Sequence, residues 1–70
     1  MTFGKKTLEA LIRVTTAKLN YYKKYRAVTE LNRDAVNFTL YTGRIETADA
    51  FIEDLEKDLR DYFKQMEAYR

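Results

Sequence analysis

Residues Thr47–Tyr69, TADAFIEDLEKDLRDYFKQMEAY, carry the pattern that decides the fold. Ala48, Ile52, Leu55, Leu59, Tyr62, Met66 and Tyr69 recur at alternating intervals of four and three. That spacing draws one stripe along a helix; a strand would alternate every second residue. Phe51 and Phe63 flank the stripe and widen it toward a face that could close a core. Thr47 stands where a hydroxyl can cap a helix, and Glu46 and Asp49 place negative charge at the end the helix dipole favours. The spacing predicts a helix over 47–69.

Working outward, Thr42-Gly43 is the clearest punctuation in a chain with no Pro and two Gly. Gly43 can adopt the left-handed conformation that ends a helix, which puts the connection at about 42–46. Before it, one helix is expected over about 5–41, with Thr2 as a candidate cap. The stretch Ala35–Tyr41, AVNFTLY, alternates like a strand through Val36, Phe38 and Leu40. No second strand signal exists to pair with it, and an isolated strand is not stable, so it is read as helix. A break near Asn32 is the other reading and would give three helices.

The first helix carries two apolar stripes. Leu8, Leu11, Ile12, Thr15, Leu19 and Tyr22 share one face; Ala17, Tyr21, Tyr25, Val28, Leu31, Ala35 and Phe38 share another, on the order of 150° away. Two stripes call for two partners, or for a kink between them. The fold class that follows is all-α: an antiparallel helical hairpin of two long helices forming a single domain over residues 1–70.

A second helix of 23 residues spans about 35 Å and would cover the first helix from Tyr41 back to about Leu19. In that register the N-terminal stripe overhangs. Leaving Leu8, Leu11 and Ile12 uncovered forgoes about 1.5–3 kcal/mol each. The expectation is therefore that Leu8, Leu11, Ile12 and Leu19 form a dimer or partner surface, most simply in a homodimeric four-helix bundle. Seventy residues without Cys or His point the same way. A chain this short needs a staple, and no disulfide is available.

The charge is asymmetric. Met1–Arg33 holds eight basic and two acidic residues, a net of +6; Asp34–Arg70 holds five basic and nine acidic, a net of −4. In KLNYYKKYR, Lys18–Arg26, cations interleave with tyrosines. Lys18, Lys23, Lys24 and Arg26 could meet phosphates, and Tyr22 could stack on a base. The plainer account makes the tyrosines core and pairs the cations with the second helix. Asp54, Asp58 and Asp61 line one side of the second helix as a candidate acidic contact face for a basic partner. They lack the shaped loop that a calcium site requires.

No catalytic constellation is present. The chain lacks His and Cys, a nucleophile elbow and a phosphate-cradling glycine loop. No cofactor or metal is expected, and no apolar run approaches a membrane span. The first residues carry charges that a secretory signal would not, so a cytoplasmic location is expected. The sequence thus predicts a small interaction module that acts as regulator, inhibitor or adaptor by binding a protein, with a nucleic-acid-binding helical dimer as the alternative.

Overall fold

In a computed structural model, which describes residues 3–69, the chain forms two helices, α1 (Lys5–Leu31) and α2 (Phe38–Met66). A 3₁₀ turn, Glu67–Tyr69, closes the chain. The helices pack against each other as an antiparallel hairpin about 51 Å long. The expected all-α hairpin is present, but its turn lies elsewhere. The connection is Asn32–Asn37, at the break the other reading placed near Asn32, and because 42–46 continues as helix there are two long helices and not three among the described residues.

The turn has a local cause. Asp34 Oδ1 accepts hydrogen bonds from the backbone N–H of Val36 (2.9 Å) and of Asn37 (3.0 Å). In return, Asn37 Oδ1 accepts from the Asp34 N–H at 2.7 Å. This reciprocal pair has the logic of a capping box but lies in the connection, satisfying backbone donors just before α2, whose N-cap Asn37 makes no side-chain cap bond. Asn37 Nδ2 also donates to Asn32 O at 3.2 Å, drawing the two ends of the connection together. Asn32 terminates α1, its side-chain amide donating to Val28 O at 2.9 Å. Gly43, expected to end a helix, sits inside α2, and neither described glycine has a positive φ. Thr47, expected as a cap, is likewise interior, and its hydroxyl donates to Gly43 O at 2.9 Å. The candidate cap Thr2 lies outside the described residues; α1 begins after an extended Gly4 without a side-chain cap.

Moving the turn equalises the helices at 27 and 29 residues and changes the register. Each helix now contributes one heptad seam. On α1 it runs Leu8, Ile12, Thr15, Leu19, Tyr22, Arg26, Thr29 and on to Arg33; on α2 it runs Tyr41, Ile45, Ala48, Ile52, Leu55, Leu59, Tyr62, Met66. Every one of these residues is buried or half-buried. The stripe read over 47–69 therefore continues upstream through Ile45 and Tyr41 at the same spacing.

Leu8 and Leu19 are buried within the hairpin, Leu8 completely, and Leu11 and Ile12 are half-buried. The N-terminal stripe does not overhang. It packs on the C-terminal half of α2, so it is not the exposed surface expected of it. The open end of the hairpin is clasped as well. The Phe3 N–H donates to Gln65 Oε1 at 3.1 Å, the Tyr69 hydroxyl donates to Phe3 O at 2.9 Å, and the Phe3 ring meets Tyr62 edge-on at 6.3 Å.

Candidate interaction surface

With the first stripe of α1 spent on α2, the second stripe is left in solvent. Val14, Tyr21, Tyr25 and Val28 are all exposed, Tyr21 by 64%. Their spacing of seven, four and three places them on one line, about a third of a turn from the seam. On α2, Leu40 and Phe51 are also exposed and occupy the matching line. The two lines lie on the same side of the hairpin. There they border an open groove of about 610 Å³ lined by Tyr21, Tyr25, Leu40, Arg44, Thr47 and Phe51, among others.

The groove wall is ordered by aromatic packing. Tyr22, at the seam, stacks on Phe51 with centroids 5.2 Å apart and meets Tyr21 edge-on at 5.3 Å. Edge-on and offset contacts of this kind suit the charge distribution of the rings. Gly43 contributes to the lining, and a Cβ built there would meet nothing within 4 Å. The hairpin's own packing therefore does not call for glycine at this position. Arg44 lies over the Tyr41 ring at 5.2 Å and has no ion pair among the described residues.

The other side of the hairpin is different in kind. Lys6, Glu9, Arg13, Lys23 and Glu30 of α1, with Glu46, Asp49, Glu53, Arg60 and Glu67 of α2, occupy the lines on that side. Phe63 is the large apolar side chain exposed among them. Arg26 reaches from the seam to this side, where its guanidinium donates to Asp49 Oδ1 at 2.5 Å and to Glu30 Oε2 at 2.7 Å. The hydrogen bonds to Asp49 first, and to Glu30 second, hold Arg26 above its ordinary pKa. Arg33 donates to Thr42 Oγ1 at 3.2 Å and covers the Phe38 ring at 5.0 Å.

These placements sort the candidate residues. Of the proposed phosphate contacts, Arg26 is engaged by two carboxylates and Tyr22 is half-buried under Phe51. Lys18, Lys23 and Lys24 are exposed but leave α1 in three directions, since neighbours on a helix diverge by about 100°. Asp54, Asp58 and Asp61 are exposed and continue the line of Phe51 toward the open end; Asp61 Oδ2 accepts from Gln65 Nε2 at 3.1 Å. The register sets these three carboxylates beside the first half of α1, away from the Lys23–Arg33 cations. They do not converge, and no group of three carboxylates among the described residues is placed to hold a metal ion. No helix of the described residues is long and apolar enough to cross a membrane.

Sequence reasoning found Tyr21, Tyr25 and Val28 as a stripe but gave them the wrong neighbour. Leu40 and Phe51 were missed as surface residues, because Phe51 looked like a flank of the seam and Leu40 like part of the first helix. Compared with known proteins, the chain matches no family model, no curated protein and no solved structure.

Proposed function

We propose that the protein acts by binding another polypeptide through the aromatic face formed by Val14, Tyr21, Tyr25 and Val28 of α1 with Leu40 and Phe51 of α2. The carrying observation is the one-sidedness of the exposed apolar surface. Of the eleven large apolar side chains exposed among the described residues, six gather on this side of the hairpin; Leu31, Val36 and Phe38 lie at the turn, Tyr69 at the open end, and Phe63 among the charges of the other side. Together the six expose on the order of 500–600 Å², the size of the largest patch on a typical monomer, which is often functional. Tyrosine and phenylalanine supply such contacts at little conformational cost. The role is that of a regulator, inhibitor or adaptor within the cytoplasm, with no catalytic step.

The nucleic-acid reading draws less support. Its cations are either paired or divergent, and its tyrosines lie on the apolar groove. Site-specific photo-crosslinking in cells separates the two. A photoreactive residue replacing Tyr21 is expected to yield adducts to protein, and one replacing Glu53 on the charged side is expected to yield none. Adducts to nucleic acid, or equal labelling from both positions, would refute the proposal.

A further inference from the structure

We infer that the occupant of the aromatic face is a second copy of this chain, packed across Gly43 about a twofold axis to give a four-helix bundle. This inference rests on the protein-binding reading of the same face. Three observations carry it.

The first is shape. An isologous interface must be self-complementary, offering knobs and recesses within one patch. Here Tyr21 projects, 64% exposed, beside a groove bordered by Tyr25, Leu40 and Phe51. The second is Gly43. Glycine inside a helix is destabilising relative to alanine. Space for a Cβ is available in the isolated hairpin, so its own fold does not explain the residue. Thr39, Gly43 and Thr47 all line the groove, four residues apart, and form a low ridge on which a second helix can approach closely. The third is charge. On the α2 line Arg44 lies to one side of Thr47 and Asp54 to the other, and neither has an ion pair among the described residues. A twofold axis crossing α2 midway between Arg44 and Asp54 runs the two α2 helices antiparallel, so that Arg44 of each copy lies opposite Asp54 of the other, with Thr47 beside the axis and Gly43 further out in the same interface. The exposed apolar area, on the order of 500–600 Å², is about two thirds of the roughly 800 Å² per partner of a standard stable interface, and Arg44, Thr47 and Asp54 on the same lines add to it.

The decisive variant is Gly43→Leu. In the isolated hairpin a Cβ at this position meets nothing within 4 Å and leucine raises helix propensity over glycine, so the variant is expected to fold, which circular dichroism checks. Sedimentation velocity on the full chain is expected to show twice the 8.4 kDa monomer mass at about 100 µM. Gly43→Leu should raise the dimer dissociation constant about tenfold to a hundredfold, as overpacking does, with helical circular dichroism unchanged or increased. Arg44→Glu and Asp54→Arg should each weaken the dimer, and the double variant should recover it.

A wild-type mass of 8.4 kDa at that concentration overturns the inference. So does a dimer indifferent to Gly43→Leu and to the charge reversals. Capture from cell extract then separates this failure from that of the proposed function. A monomer that retains a protein lost on Tyr21→Asp overturns the second copy alone. A monomer with no capture dependent on Tyr21 overturns both.

Discussion

Replacing Leu8 with alanine tests the register of the hairpin. Leu8 is completely buried, although it is only the fourth residue of α1. With Phe3 bonded to Gln65 and Tyr22 stacked on Phe51, interpolation places it opposite the turn from Leu59 to Tyr62. Truncating a buried leucine costs about 2–5 kcal/mol, depending on how far the surroundings collapse. Near a helix start the neighbours relax more readily, so the lower part of the range applies, about 2–3 kcal/mol. A chain of 70 residues has a stability on the order of 4–10 kcal/mol, so this one change should remove a quarter to a half of it. Urea unfolding followed by far-ultraviolet circular dichroism would report the loss as a midpoint lower by about 1–2 M at unchanged slope. Both proteins must be compared at one chain concentration, because self-association adds to apparent stability. A cost below about 0.5 kcal/mol, typical of a surface position, would refute the register. It would return Leu8 to the overhang expected when the turn is placed at 42–46.

Three further outcomes follow from the turn, the seam and the cations. Asp34→Ala removes the acceptor of two backbone N–H groups and should destabilise the hairpin by about 1 kcal/mol in the same assay; no change would mean the Asp34–Asn37 pair does not set the turn. Thr15→Val and Thr29→Val place apolar groups at two buried seam positions and should each raise the unfolding free energy by about 0.5–1 kcal/mol; destabilisation would show that the hydroxyls are needed where they are. Charge reversal at Lys23 and Lys24 together should leave the mass and helical content unchanged; fluorescence anisotropy on labelled duplex DNA should show no binding that weakens steeply between about 50 and 200 mM salt, and such binding would revive the nucleic-acid reading.

The two stripes were legible because leucine, isoleucine and tyrosine at heptad spacing leave few other arrangements. The turn was not, because the chain offers two competing signals. Gly43 follows a run of periodic residues and looks like a stop, yet a helix tolerates one glycine for about 1 kcal/mol. Asn32, Asp34 and Asn37 are a quieter signal, but their side chains supply five hydrogen bonds that hold the connection. A further clue was available upstream of Thr47. Tyr41, Ile45 and Ala48 continue the seam at the same intervals of four and three, which a turn at 42–46 would have interrupted. The lower seam of α1 was hidden for a different reason. Arg26, Thr29 and Arg33 occupy it, and polar residues leave no mark in an apolar pattern. The aromatic face inherited the error, since a misplaced turn assigns Leu40 to α1 and covers Tyr21 and Tyr25 with α2.

The distribution of side chains along the hairpin separates folding from binding. Toward the open end, Leu8, Ile12 and Leu19 fill the seam and Leu55, Leu59 and Tyr62 answer them, with the Phe3 clasp beyond. Toward the turn, the α1 seam passes to Arg26, Thr29 and Arg33, of which Arg26 and Arg33 close the interface with hydrogen bonds to Asp49 and Thr42. The apolar residues of that half, Tyr21, Tyr25 and Val28, are displaced about a third of a turn onto the outer line. A sequence selected only for hairpin stability would keep them on the seam, where burial is worth about 1.5–3 kcal/mol per large side chain. Exposing them instead forgoes that stabilisation within the monomer and makes it available to whatever covers the face. The half of α1 nearest the turn is thus held by polar contacts that specify the register, while its apolar surface stays exposed, as the proposed binding requires. Glycine at position 43, dispensable to the hairpin and placed on the same groove, fits that division of labour.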